Sequence, residues 1–99
     1  MPTYIVLGRF RDQAVESIVA EGPARSAAGR ARAEALGCKI LGTYLTNGSY
    51  DIVRVFEAPD DVTMAKVTMG LNVRGYEETE TLRAFTPQEM GEILGSLAT

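Results

Sequence analysis

The sequence predicts an α+β fold in which one four-stranded antiparallel sheet is backed by helices on one face, with a short extra helix at the C-terminal end. Three observations lead there. Lys39 to Thr46 and Tyr50 to Glu57 alternate along their length and flank Asn47-Gly48, the signature of a β-hairpin. Helical spacing of apolar or small residues precedes and follows that hairpin. Strand-like segments, Thr3 to Phe10 and Glu78 to Phe85, stand before the first helical stretch and after the second. The order is β-α-β-β-α-β-α.

Each element has a local reason. Thr3 to Phe10 is apolar on both alternations, the pattern of a central strand covered on both faces. Asp12 is placed to cap a helix carrying Val15, Ile18 and Val19. Gly22-Pro23 interrupts it, because proline lacks an N–H and restricts the residue before it. A second helical stretch then runs to about Leu36 with Ala24, Ala28, Ala31 and Ala35 on one stripe, and Gly37 follows as a left-handed cap. After the hairpin, Pro59-Asp60-Asp61 opens a helix with Val62, Ala65 and Met69 expected on its inner face. Thr86-Pro87-Gln88-Glu89 is a capping box with proline at the first helical position, and it starts a helix bearing Met90, Ile93, Leu94 and Leu97.

A βαββαβ chain of 99 residues is expected to form a single domain over residues 1–99, ferredoxin-like, with strands one and three in the centre. Hairpin pairing puts Ile40, Gly42, Tyr44 and Thr46 on one face with Tyr50, Ile52, Arg54 and Phe56. Leu41, Thr43, Leu45, Val53 and Val55 take the other. The second set is expected to face the helices, because a buried guanidinium there is costly. The first set, joined by Tyr4 and Val6, is then an open face more apolar than a monomer tolerates. Its simplest cover is another copy of the chain.

Composition narrows the chemistry. There is no histidine and one cysteine, Cys38, so internal disulfides, the usual zinc sites and the Ser-His or Cys-His nucleophile pairs are unavailable. Neither metal nor organic cofactor is expected. Net charge is −3, with six basic and four acidic residues in 1–50 against four and nine in 51–99. Arg25, Arg30 and Arg32 are interleaved with alanines on an acidic chain and read as a solvated helix face, not a nucleic-acid footprint. No apolar run approaches the roughly 20 residues of a membrane helix. Met1 leads directly into a strand with no signal-peptide pattern, so the expected location is cytoplasmic, without membrane partners.

Gly48-Ser49-Tyr50-Asp51 followed by Ile52-Val53 resembles the Gly-x-Tyr-Asp signature of the GYD domain family. The Met1-Pro2-Thr3-Tyr4 opening, Glu57-Ala58-Pro59-Asp60-Asp61, Asn72-Val73-Arg74 and Thr79-Glu80-Thr81-Leu82-Arg83-Ala84-Phe85 extend the likeness over nearly the whole chain. The resemblance implies a dimeric α+β barrel, two ferredoxin-like sheets packed open face to open face. It supplies no catalytic residues. The chain departs from the family pattern twice: Arg74 to Glu78 is longer than the usual join, and Arg54 stands where an apolar β-branched residue is expected.

Tyr44, Tyr50 and Arg54 are the candidate ligand-binding residues. On one open face they would line a barrel cavity with aromatic walls, hydroxyls and one cation, suited to a small anionic or aromatic molecule. Arg54 has a competing role as a bridge to a partner-chain carboxylate such as Glu80. The Gly48-to-Asp51 turn has a structural explanation in glycine's positive φ and Asp51 bonding backbone groups. Pro2, freed of Met1, would offer a secondary amine like that of the tautomerases, with Arg9 or Arg11 as carboxylate binder. Asp60 and Asp61 read as helix caps, and Cys38 as inert. The leading expectation is a homo-oligomeric small-molecule-binding or structural module. The alternative is a cofactor-free enzyme of oxygenase, isomerase or tautomerase type acting in the barrel cavity.

Overall fold

The computed structural model describes residues 1–98. Strand β1 (Thr3–Phe10) leads through a 3-10 turn (Asp12–Ala14) into α1 (Val15–Ala35). Strands β2 (Lys39–Leu45) and β3 (Ile52–Glu57) follow, then α2 (Asp61–Val73), β4 (Glu77–Ala84) and α3 (Pro87–Leu97). The sheet order is β2-β3-β1-β4, with every neighbouring pair antiparallel and β1 and β3 in the centre. This is the ferredoxin-like arrangement expected from the sequence.

Local chemistry sets most of the boundaries. Gly22 (φ 46°, ψ −131°) breaks the helical path of α1 next to Pro23. Gly37 (φ 86°) ends that helix in a Schellman motif, with Cys38 N–H donating to the Ala33 carbonyl and Gly37 N–H to that of Glu34. The Asp60 carboxylate caps α2 by accepting from the Thr63 backbone N–H at 2.8 Å, and Thr86 with Glu89 forms a full capping box on α3. Such caps contribute about 1 kcal/mol each. Asp12 does not cap: it lies inside the 3-10 turn, and no side chain caps α1. The hairpin connection is also wider than a two-residue Asn-Gly turn. It spans residues 46–51, and only Gly48 there has a positive φ, so a type I′ turn is excluded.

The two faces of the sheet are the reverse of those expected. Tyr4, Val6 and Phe56 are buried on the helix side in one core with Ala33 of α1, Met64 of α2, Cys38 and Ala58. Pairing puts Arg54 opposite Val6 and Ile52 opposite Gly8, on that same side. The open face carries Ile5, Leu7, Val53 and Val55. Tyr44 joins them because the register shifts by one residue between Ile40 and Gly42. This β-bulge leaves Ile40 opposite Phe56 but turns Tyr44 toward Val53, and parity along β2 changes sign. The helix faces are rotated too. Met64 and Val67 of α2 pack inward while Val62 and Met69 are exposed, and Ala33, off the alanine stripe, is the buried residue of α1.

Arg54 sits on the helix side because Glu77 meets it there. The guanidinium donates two bonds to one carboxylate, Nη1 to Oε1 at 2.9 Å and Nη2 to Oε2 at 2.7 Å, and Glu77 is only 1% exposed. Arg54 belongs to β3 and Glu77 to β4, with β1 between them. The gap is Gly8: a Cβ there would collide with Glu77 Oε1 and lie 2.7 Å from Ile52 Cγ2. Gly8→Ala is therefore expected to destabilise the fold. Overpacking alone costs about 1–3 kcal/mol, and forcing Glu77 off Arg54 about 3–5 kcal/mol. A urea midpoint unchanged by Gly8→Ala would show that the carboxylate has another route.

Candidate functional site

The signature turn is held by a dense set of bonds. Asp51 accepts from Phe10 N–H through its carboxylate at 2.8 Å, and its own N–H donates to the Gly8 carbonyl at 2.8 Å. Thr46 closes the turn from the other side: its N–H reaches the Asp51 carbonyl at 2.8 Å and its hydroxyl the Tyr50 carbonyl at 2.6 Å. The turn thus fastens the hairpin tip to the end of β1. Tyr50 extends from it, its hydroxyl donating to the Glu80 carboxylate. Arg9 stacks over the Tyr50 ring, 5.2 Å from its centroid, and donates from Nε to the Ser49 carbonyl at 3.0 Å.

Of the three candidate ligand residues, two share a surface. Tyr44 lies over Gly42 on the open face, 59% exposed, and Tyr50 closes against Glu80, which pairs with Leu7 on that face. Arg54 points to the opposite side, into its pair with Glu77. Glu80 thus meets Tyr50, not Arg54, within this chain. Between Tyr44 and Leu82 runs an apolar surface of Val53, Leu7, Ile5 and Val55, paired row by row across β2, β3, β1 and β4.

The remaining candidates are structural in their contacts. The Pro2 carbonyl accepts from Ala58 N–H at 3.1 Å. Arg11 lies 3.5 Å from Glu78. Burial, and then the negative charge of Asp60, push the Cys38 thiol up, as suits an inert core cysteine. Among the described residues no group of three or more histidines, cysteines or carboxylates is placed to hold a metal ion. Among the described residues no helix is long and apolar enough to cross a membrane.

A feature that the sequence reading missed is a cleft of about 1130 Å³ on the helix side, between α1, the sheet and α2. Arg54, Glu77, Ile52 and Phe56 form its sheet wall, Val67 and Arg74 its α2 side, and Tyr76 one end. Arginine spacing on α1 was the available signal, because Arg25 and Arg32 both line it.

The model of the GYD domain matches residues 4–94. The chain belongs to the GYD domain family. A relative from Thermus thermophilus, named glutamine synthetase and cystathionine beta-lyase binding protein, is 33% identical over 84 residues, 85% of this chain and 88% of its own. The crystal structure of TTHA0845, also from Thermus thermophilus, is similar with a TM-score of 0.55 and 28% identity, covering 87% of this chain and 95% of that one. The crystal structure of FFRP-DM1 is similar in fold alone, at a TM-score of 0.56 and 15% identity, covering 86% of this chain and all of that one. The Gly-x-Tyr-Asp turn of this GYD chain is the bonded corner described above.

Two predictions follow the geometry. The hydrogen bond to Glu80, then burial and the Glu80 charge, raise the Tyr50 phenol above its ordinary value. Tyr4 is raised likewise, chiefly by its hydrogen bond to Asp61. Tyr50 and Tyr4 should therefore ionise late in a pH titration followed by tyrosinate absorbance, and Glu80→Gln should return Tyr50 toward the ordinary range. A titration that Glu80→Gln leaves unchanged would show the Tyr50–Glu80 contact to be absent in solution.

For the buried pair, Arg54→Met strands a carboxylate and should cost about 3–5 kcal/mol, whereas Arg54→Met with Glu77→Met should restore most of that loss. Urea denaturation of the three proteins decides it. A double variant no more stable than the single one would mean that the pair holds more than itself.

Proposed function

We propose that this chain is a protein-binding module that works as a homo-oligomer and docks on metabolic enzymes without chemistry of its own. The observation that carries the reading is the uncovered apolar side of the sheet. Ile5, Leu7, Val53 and Val55, each half-buried, neighbour one another on this face, which is bounded at one end by Arg9, Tyr50 and Glu80. An apolar sheet face that no helix of the chain covers is characteristic of an interface. A second unpartnered surface is α3, where Met90, Ile93, Leu94 and Leu97 make one stripe and none is buried.

The family match and the name of the Thermus thermophilus relative support a protein-binding role, and that name makes glutamine synthetase and cystathionine β-lyase the first partners to test. Self-association through the sheet is the simplest cover for the patch, two copies meeting face to face. Tyr44 and Tyr50 then belong to the contact surface or to a cavity enclosed within it. The α3 stripe remains for the enzyme partner.

Two measurements separate the parts. Light scattering should return a multiple of 10.7 kDa, and Val53→Asp should shift it toward the single-chain mass with the fold intact by circular dichroism. Binding of either purified enzyme, read by interferometry, should fall at least tenfold with Leu94→Asp while the oligomer persists. A wild-type mass equal to that of one chain removes self-association, and no binding to either enzyme removes the docking role.

A further inference from the structure

The cleft behind the sheet is charged against the trend of the chain. Its walls hold five arginines and three glutamates, in a protein whose net charge is −3. One arginine and one glutamate, Arg54 and Glu77, neutralise each other at the sheet. Glu21 approaches Arg25 at 3.9 Å, beyond hydrogen-bond reach. Arg32 and Arg74 have no carboxylate within 4.0 Å among the described residues. The surplus is thus basic and sits where α1 meets α2.

Three further observations say that the site is built to receive something. Arg25 stacks over the Tyr76 ring, 3.6 Å from its centroid, and its Nη1 is buried without a hydrogen-bond partner, the Glu21 carboxylate standing off at 3.9 Å. An unmet buried donor is costly, and an oxyanion would satisfy it. Burial, then the positive charges of Arg74 and Arg25, lower the Arg32 guanidinium from its ordinary value. A small basic recess of about 100 Å³, lined by Arg32, Lys66 and Arg74, opens where Gly29 and Gly70 lack side chains. Beside these cations the cleft is apolar, with Ile52, Phe56, Val67 and Leu71.

We infer that the cleft between α1 and the sheet binds a small organic oxyanion, its phosphoryl- or carboxylate-type head held by Arg25, Arg32 and Arg74 and its apolar or aromatic body laid against Ile52, Phe56 and Val67. The volume suits a ligand of drug-like size. Guanidinium groups match planar and tetrahedral oxyanions by paired N–H donors, and the aromatic ring behind Arg25 holds one of them ready. The site is on the opposite side of the sheet from the apolar patch. It does not rest on the protein-docking reading.

Fluorescence of 8-anilinonaphthalene-1-sulfonate, an apolar anion, tests it on the full chain. The wild type should bind the dye with blue-shifted emission, and pyrophosphate or citrate should displace it, the better competitor telling a phosphoryl head from a carboxylate one. Arg32→Gln with Arg74→Gln should weaken dye binding at least tenfold without altering the mass by light scattering, and Arg32→Lys with Arg74→Lys should recover part of it. Ala28→Trp, on the α1 wall of the cleft, should block the dye while leaving every charge in place. Val53→Asp on the open face should leave the competitor-displaced dye signal unchanged. Dye that neither competitor displaces, or equal affinity in the wild type and the double glutamine variant, overturns the assignment.

Discussion

A buried ion pair that crosses a strand is the constraint on which the rest of this molecule depends. Arg54 and Glu77 lie on strands separated by β1, and they meet only because Gly8 leaves the space above that strand empty. Removing both charges from water costs several kcal/mol each before their attraction returns it, so the pair is a poor source of net stability. It is a strong source of specificity. With the guanidinium committed to the helix side, Tyr4, Val6 and Phe56 must follow it inward, and Ile5, Leu7, Val53 and Val55 must face out. The pair also fixes the start of β4, where the Tyr76 carbonyl accepts from Arg11 N–H at 3.0 Å and the Tyr76 ring stacks under Arg25.

The element order, the central pair of strands and three of the caps were legible in the sequence. They depend on residues close to one another along the chain, such as Gly37 after α1, Asp60 before α2 and the Thr86–Glu89 box. The assignment of faces was not legible, for two physical reasons. The cost of burying Arg54 was weighed for the residue alone, whereas its compensating carboxylate lies on another strand, reachable only over a glycine in a third. Alternation along β2 was also carried through the bulge after Ile40, which sends Tyr44 to the face that Arg54 does not share. The two places where the sequence is expected to depart from the family pattern, Arg54 and the join at 74–78, are partners in the structure. One supplies the cation and the other its carboxylate.

Helical periodicity proved a better guide to existence than to orientation. The alanine stripe of α1 is real in spacing, yet the residue that enters the core is Ala33, and the cleft opens along much of the remaining helix. Small side chains leave room between helix and sheet as readily as they permit close approach, and periodicity does not distinguish the two. In α3 the stripe is equally real and simply uncovered. The radius of gyration, 15.1 Å against about 13 Å for a compact chain of this length, reflects elements that are not drawn into one core.

Consecutive residues of a strand point to opposite faces, so β3 gives Val53 and Val55 to the open surface and Ile52, Arg54 and Phe56 to the cleft and core. A slip of one residue would exchange the two sets and place the guanidinium on the open face. What prevents it sits at the entry to that strand. Asp51 binds the Phe10 N–H by its side chain and the Gly8 carbonyl by its backbone, and Thr46 binds back onto the same turn. The first of these contacts fixes Asp51 against the end of β1, and the second fixes it against the glycine over which Glu77 must pass. The Gly-x-Tyr-Asp turn is therefore intelligible without a ligand. Its aspartate sets the register that lets one sheet present an apolar face on one side and a charged cleft on the other.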